Sequence, residues 1–270
     1  MSRPEERVRS NRDVPDYDAV EFSAPTTRYC LVVFVLNEGT RIRNQIAKLR
    51  ELRLPVDVVI ADGGSTDGSL EQGALKENGI AALLTKSGAG GLSAQMRMAF
   101  DWASKSGYSG VIVIDGNDKD DASAVPAFVE LLDKGFDHVQ GSRFIEGGRA
   151  IRTPKLRYLA VRLVHAPLVS IASGRWQTDT TNGFRGYSMR LIEDPEIDVF
   201  RSVFHSYELH YHLAIESARL PRFRTTETPV TRAYPAGVKT PTKITPVRGN
   251  LKVLGVLLSA VFGRYRSRGH

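Results

Sequence analysis

Residues 111–121 read VIVIDGNDKDD. Val111 to Ile114 are four β-branched residues in succession, the pattern of a strand buried on both faces of a parallel sheet. Asp115, Gly116, Asn117, Asp118, Lys119, Asp120 and Asp121 follow at once. Oxygen ligands crowded at the carboxyl end of a buried strand suit a hard divalent cation such as Mg²⁺ or Mn²⁺. That edge of an open α/β sheet is also where ligands bind. Alone, the stretch reads equally well as an acidic surface loop, and its neighbours decide between the two.

Upstream, Tyr29–Leu36 (YCLVVFVL) reads as a strand closing on Asn37 and Glu38, followed by a helix to about Leu52 with Ile42, Ile46 and Leu49 at helical spacing. Val56–Ala61 is a second strand and runs into Asp62-Gly63-Gly64-Ser65-Thr66-Asp67-Gly68, a turn whose glycines permit close backbone approach. A weaker strand, Ala81–Leu84, leads through Lys86 and a glycine-rich link to a helix over residues 92–104. Strand and helix alternating at this spacing give a doubly covered, mostly parallel sheet of the α/β class. Right-handed crossovers then bring Asn37-Glu38, Asp62, Lys86 and Asp115-Gly116-Asn117 to one rim.

Downstream, a helix over 124–132 precedes a strand, Phe136–Gly141, and the run Gly141-Ser142-Arg143-Phe144. Residues 155–173 are helical in pattern, and residues 178–185 (TDTTNGFR) are too polar for a plain connector. A helix over about 203–218, a strand over 223–231 and a last helix over about 249–263 complete the reading. Residues 1–28, polar and carrying Pro4, Pro15 and Pro25, read as a flexible or loosely docked arm.

At 270 residues, 41% hydrophobic and 25% charged, the chain has the composition of a soluble globular protein. Cys30 is its single cysteine, so no intrachain disulfide can form; it reads as a small core residue in an intracellular setting. No apolar run is long enough to span a bilayer, and the first residues lack the apolar centre of a signal peptide. The net charge of +7 lies wholly in the last fifth: residues 219–270 hold 11 Lys or Arg against one acid, Glu227. Such an excess suits a phosphate-bearing substrate or an acidic membrane surface. The scarcity of interleaved aromatics argues against nucleic acid.

Taken together, these motifs resemble family 2 glycosyltransferases of GT-A fold, and within them the polyprenyl-phosphate sugar synthases of dolichyl-phosphate mannose synthase type. The likeness runs from about Tyr29 to Lys243, some four-fifths of the chain. Asn37-Glu38 looks like the family's Asn-Glu signature, residues 62–68 its nucleotide-binding turn, and Asp115-Gly116-Asn117 its metal-binding Asp-x-Asp. Residues 141–144 and 179–185 are similar to two motifs of the polyprenyl-phosphate branch. Phe34 stands where a proline commonly opens the first motif, and Asn117 replaces the second metal-binding acid, a charge that Asp118 or Asp120 can supply.

The resemblance implies an inverting, metal-dependent hexosyltransferase. It would move a mannose- or glucose-type sugar from GDP- or UDP-hexose to a polyprenyl phosphate, at the inner face of a membrane. The expected domains are an arm (1–28), a GT-A domain (29–245) and a basic amphipathic helix with its tail (246–270). Asp115 and Asn117 are the expected metal ligands. Asn37, Glu38, Asp62, Lys86, Asp115, Arg232 and Lys243 are the expected donor-binding residues, with Asp62 facing the nucleobase. Asp115, Arg143 and Arg185 are the expected catalytic residues. An ionised phosphate acceptor needs cations to place it rather than a base, and Arg143, Arg185, Arg232 and Lys243 are the candidates. If the acceptor is instead the hydroxyl of a glycan or small molecule, a carboxylate base is required, and Asp179 or Glu208 is the place to look. A binding module that has lost catalysis is the non-enzymatic alternative. His205 and His212 read as surface or packing residues. The last helix reads as an interfacial anchor on anionic lipid, or as a face packed on the domain or in a homo-oligomer.

Overall fold

The computed structural model describes residues 12–235 and 248–267. Its elements in chain order are β1 (Tyr17–Glu21), β2 (Tyr29–Val35), α1 (Thr40–Leu52), β3 (Asp57–Asp62), α2 (Gln72–Glu77), β4 (Ile80–Lys86), α3 (Leu92–Lys105) and β5 (Gly110–Asp115). Then come α4 (Val125–Asp133), β6 (His138–Ser142), β7 (Arg149–Ile151), α5 (Lys155–Ala160), a π-helical turn (Val161–His165) and α6 (Ala166–Ser173). The remainder is β8 (Arg185–Ser188), α7 (Met189–Ile192), α8 (Glu208–Arg219), β9 (Thr225–Pro229), β10 (Thr231–Ala233) and α9 (Arg248–Val261).

Eight strands form one mixed sheet in the order β1-β4-β3-β2-β5-β8-β6-β9. The segment β4-β3-β2-β5 is parallel, as the alternation of strand and helix predicts. The unbroken apolar run of β2 follows from cover on both faces. Cys30, Val32 and Phe34 point into one core layer, beneath Met96, Phe100 and Leu213 of α3 and α8. Leu31, Val33 and Val35 point into the other, with Ile42 and Ile46 of α1 and Phe128 of α4. Cys30 is fully buried, and burial pushes its thiol far up, so it is an inert core residue.

Three sequence expectations are corrected. Residues 12–28 are no flexible arm. β1 pairs antiparallel with β4, from Tyr17 opposite Lys86 to Glu21 opposite Ala82. The arm is tied down by Arg12 to Asp101 at 3.2 Å and by the Trp102 indole donating to Glu21 at 2.9 Å. β8, which begins at Arg185, the last residue of the polar run, and which the sequence reading passed over, is a buried antiparallel strand between β5 and β6. Its four residues are too few for alternation to show in the sequence. The supposed final strand over 223–231 is two strands in different sheets, β9 beside β6 and β10 beside β7.

Candidate active site

β2 lies between β3 and β5, all three parallel, with Val35 opposite Asp62 and Phe34 opposite Asp115. Asp62 and Asp115 therefore flank one strand end, about 10 Å apart at two strand spacings. Gly63 N–H donates to the Val35 carbonyl and Gly116 N–H to that of Phe34, both at 2.8 Å, which carries the pairing into the loops. A Cβ on Gly116 would stand 2.9 Å from the Phe34 carbonyl oxygen, so the residue after Asp115 has to be glycine for the loop to hug β2. Two glutamines pin the same loops. Gln45 of α1 donates to the Asp115 carbonyl at 3.0 Å and accepts from Asp118 N–H at 2.9 Å. Gln95 of α3 donates to the carbonyls of Val35 and Ala61. Neither was singled out in the sequence, although Gln45 interrupts the apolar face of α1 between Ile42 and Ile46.

The Asp115 carboxylate remains about 30% exposed. Its Oδ2 accepts from Arg232 Nη2 at 2.9 Å and from Asn117 Nδ2 at 3.3 Å. Its Oδ1 faces Gly183, where a Cβ would come within 3.1 Å. Burial alone would raise this carboxyl, but the charge and hydrogen bond of Arg232, with lesser help from His210 and Lys119, hold it below its ordinary value. Arg232 also pairs through Nη1 with the buried Asp120. Burial pushes the Asp120 carboxyl up, and its Oδ1 has no hydrogen-bond partner among the described residues.

The arrangement fits a hard cation that takes few protein ligands. Among the described residues, Asn117 Oδ1 is buried without a partner beside Asp115, and Asp115 Oδ1 accepts no hydrogen bond. No group of three or more His, Cys, Asp or Glu converges among the described residues. Water and a diphosphate would have to complete the shell, as is usual for Mg²⁺. His210 of α8, which the sequence reading passed over, lies in the field of Asp115. Burial, then the charge of Arg185, pushes its imidazole well below the ordinary range, and its buried Nδ1 has no partner among the described residues.

The residues assigned to donor binding build the rim's shape. Both Asp62 oxygens accept from Ser65 N–H, at 2.9 and 3.0 Å, and Oδ1 also accepts from the Ser65 hydroxyl at 2.6 Å. Asn37, at φ +50°, donates its N–H to the Ser65 hydroxyl and accepts from Thr66 N–H at 2.8 Å. These bonds sew the end of β2 to the 62–68 turn. Glu38 pairs with Arg41 at 2.6 Å. Lys86, buried at the end of β4, donates to the Gly88 carbonyl.

Arg143 and Arg185 depart from their expected roles in different degrees. Arg185 is fully buried and donates to the carbonyls of Thr180, Asn182 and His210. It staples the 180–182 loop to α8 and presents no face to a ligand, which corrects its assignment as catalytic. Arg143 is also buried, with Nε and Nη2 forked onto Asp179 at 2.6 and 2.9 Å, and Nη2 shared with Thr181. Burial would loosen its proton, but the bond and charge of Asp179 more than reverse this. Its Nη1 makes no hydrogen bond among the described residues. Behind the pair, Glu227 of β9 accepts from Thr178 and Asp179 N–H and from the Thr178 hydroxyl. Lys243 lies outside the described residues.

The two candidate bases are engaged. Asp179 is fully buried in the Arg143 fork, and Glu208, at the start of α8, accepts from Ser206 N–H. His205 is exposed, and His212 is buried with Nε2 2.7 Å from the Ile197 carbonyl. In the last helix, Val256, Leu257 and Ala260 pack on Val169, Tyr211, Ala214 and Ile215 of α6 and α8. Of the two readings of that helix, packing on the domain is the one observed. Among the described residues, no helix is long and apolar enough to cross a membrane.

Residues 30–194 match the profile of glycosyl transferase family 2. Polyprenol monophosphomannose synthase of Mycolicibacterium smegmatis is 23% identical over 188 residues, covering 68% of this chain and 71% of that one. Glycosyltransferase AglJ of Haloferax volcanii is 26% identical over 219 residues, 81% of this chain and 67% of its own. A dolichyl-phosphate hexose transferase of the same organism is 33% identical over 86 residues, covering 32% of this chain and 36% of its own. Among solved structures, glucosyl-3-phosphoglycerate synthase of Mycobacterium tuberculosis in complex with UDP superposes with a TM-score of 0.61 at 17% identity, over 97% of this chain and 87% of that one. Its complex with Mn²⁺, UDP and phosphoglyceric acid gives 0.60 at 17% identity, over 97% and 84%. At that identity the likeness speaks for the fold, which is the GT-A architecture expected from the sequence. With its family profile matched over residues 30–194, the chain belongs to glycosyl transferase family 2.

Proposed function

We propose that the chain transfers a hexose, with inversion, from a nucleoside-diphosphate sugar to a polyprenyl phosphate, assisted by a divalent cation at Asp115 and Asn117. The relatives named for polyprenol and dolichyl phosphate support the acceptor. The observation that carries the reading is the state of the candidate bases: Asp179 is locked in the Arg143 fork and Glu208 accepts from Ser206 N–H. A hydroxyl acceptor needs a free carboxylate, whereas a phosphate monoester is ionised at neutral pH and attacks unaided.

In the reaction, a phosphate oxygen of the acceptor bonds to the anomeric carbon. The bond from that carbon to the diphosphate oxygen breaks, and its electrons leave with the diphosphate. The bound cation would neutralise charge on the leaving group. Arg232, 2.9 Å from Asp115 at the rim, adds fixed positive charge where the leaving group develops its own. Nη1 of Arg143, held rigid by Asp179, is the donor available to orient the acceptor phosphate.

Incubation with labelled GDP- or UDP-hexose, Mn²⁺ and polyprenyl phosphate should carry label into the organic phase. Label that enters only soluble glycans, or no product with any polyprenyl phosphate, would overturn the proposal.

A further inference from the structure

The α5–π–α6 segment carries an apolar face that the described residues leave uncovered. Leu156, Leu163 and Ile171 are 78%, 69% and 78% exposed, and Trp176 just beyond α6 is 75% exposed. Leu159 continues the stripe at helical spacing. The charge around it is of one sign. Residues 149–176 contain six Arg or Lys and no Asp or Glu, and Arg149, Arg152, Lys155, Arg162 and Arg175 are exposed.

We infer that this face docks the protein on an anionic lipid bilayer, with the leucines and Trp176 entering the headgroup boundary and the basic residues on its phosphates. The charge decides the occupant. A two-fold dimer through the same patch would set like charge against like charge, whereas an anionic leaflet complements it. Exposed leucine and tryptophan beside arginine are what an interfacial helix presents. The last helix, which the sequence suggested for this task, has Val256, Leu257 and Ala260 buried on the domain instead.

The inner side of the same segment touches the candidate site. Arg157 donates to the Tyr234 hydroxyl at 2.8 Å, Lys119 lies 5.2 Å from the centre of the Tyr234 ring, and Tyr158 packs edge-on to Phe144 at 5.3 Å. Phe144 in turn underlies Arg143 at 5.1 Å. A lipid phosphate at the bilayer surface would thus be one helix thickness from the site. The inference deepens the proposed acceptor and rests on it for its purpose, though not for its test.

The test is co-sedimentation of the full chain with vesicles of phosphatidylcholine alone and of phosphatidylcholine mixed with phosphatidylglycerol. The anionic vesicles should bind at least about tenfold more tightly, and salt should weaken the binding. Leu156→Ser with Leu163→Ser should abolish it while leaving the melting temperature unchanged, since both side chains are exposed. Phe262→Ser, at an exposed apolar position after the last helix, should bind as the parent does. Emission from Trp176 should shift to the blue on anionic vesicles, because Trp102, the other tryptophan, is already buried. Three outcomes would overturn the inference: no vesicle binding, binding lost in Phe262→Ser but kept in the double variant, or a dimer dissolved by the double variant. Transfer to detergent-dispersed polyprenyl phosphate without vesicle binding sinks the docking face alone. Vesicle binding without transfer sinks the proposed reaction and leaves the face standing.

Discussion

Asn117 differs from an aspartate by one oxygen, and that difference sets how tightly the rim can hold a cation. Its Oδ1 is buried without a partner among the described residues while its amide donates to Asp115, so it offers a neutral oxygen where a carboxylate would offer charge. Asn117→Asp is expected to lower the Mn²⁺ dissociation constant several-fold by calorimetry in the presence of nucleoside diphosphate. Asp115→Asn is expected to cut transfer about a hundredfold or more at saturating Mn²⁺, in initial-rate assays on protein of unchanged circular dichroism. Both positions were legible because a run of β-branched residues ending in aspartate fixes where the side chains emerge. Arg185 was not, since sequence spacing says nothing about which carbonyls a guanidinium will find. Asp62 was half legible: its place on the rim followed from β3, but its capture by Ser65 depends on the fold of the turn.

At the scale of elements, the edge strand β1 does for the sheet what its sequence hides. β4 is a run of apolar residues, and without β1 its outer backbone groups would be open to pairing with another chain. A truncated chain beginning at Phe22 is expected to form soluble aggregates during gel filtration, where the intact chain does not. β1 escaped the sequence reading because Tyr17–Glu21 mixes charge with apolar residues, as an edge strand facing solvent does. The parallel core was the most legible part, with each strand long, apolar and closed by a turn. The two glutamines and the Glu227–Thr178–Asp179–Arg143 relay were not, because they join residues 34 to 73 positions apart.

For the whole molecule, buried imidazoles set the response to acid. Burial lowers His212 from 6.5 to about 4 and His138 to about 3, and pushes His210 down as well. Between about pH 6.5 and 4 the unfolded chain therefore binds protons that the folded chain refuses, so stability rises with pH through that window and falls as pH drops through it. Denaturant midpoints are expected to fall steeply from pH 6.5 to 4 and to level off above 7. His212→Gln should flatten the slope by a few kcal/mol across the window. Arg232, seated between Asp115 and Asp120, has a consequence on the same scale. Its guanidinium already offsets part of the rim's negative charge before any ligand arrives, so a divalent ion has less carboxylate repulsion to relieve there than in a bare acidic pair. A chelator should accordingly halt transfer while lowering the melting temperature only by what the ion's own binding adds to the folded state, which differential scanning fluorimetry with and without EDTA, in the presence of Mn²⁺ and nucleoside diphosphate, would reveal.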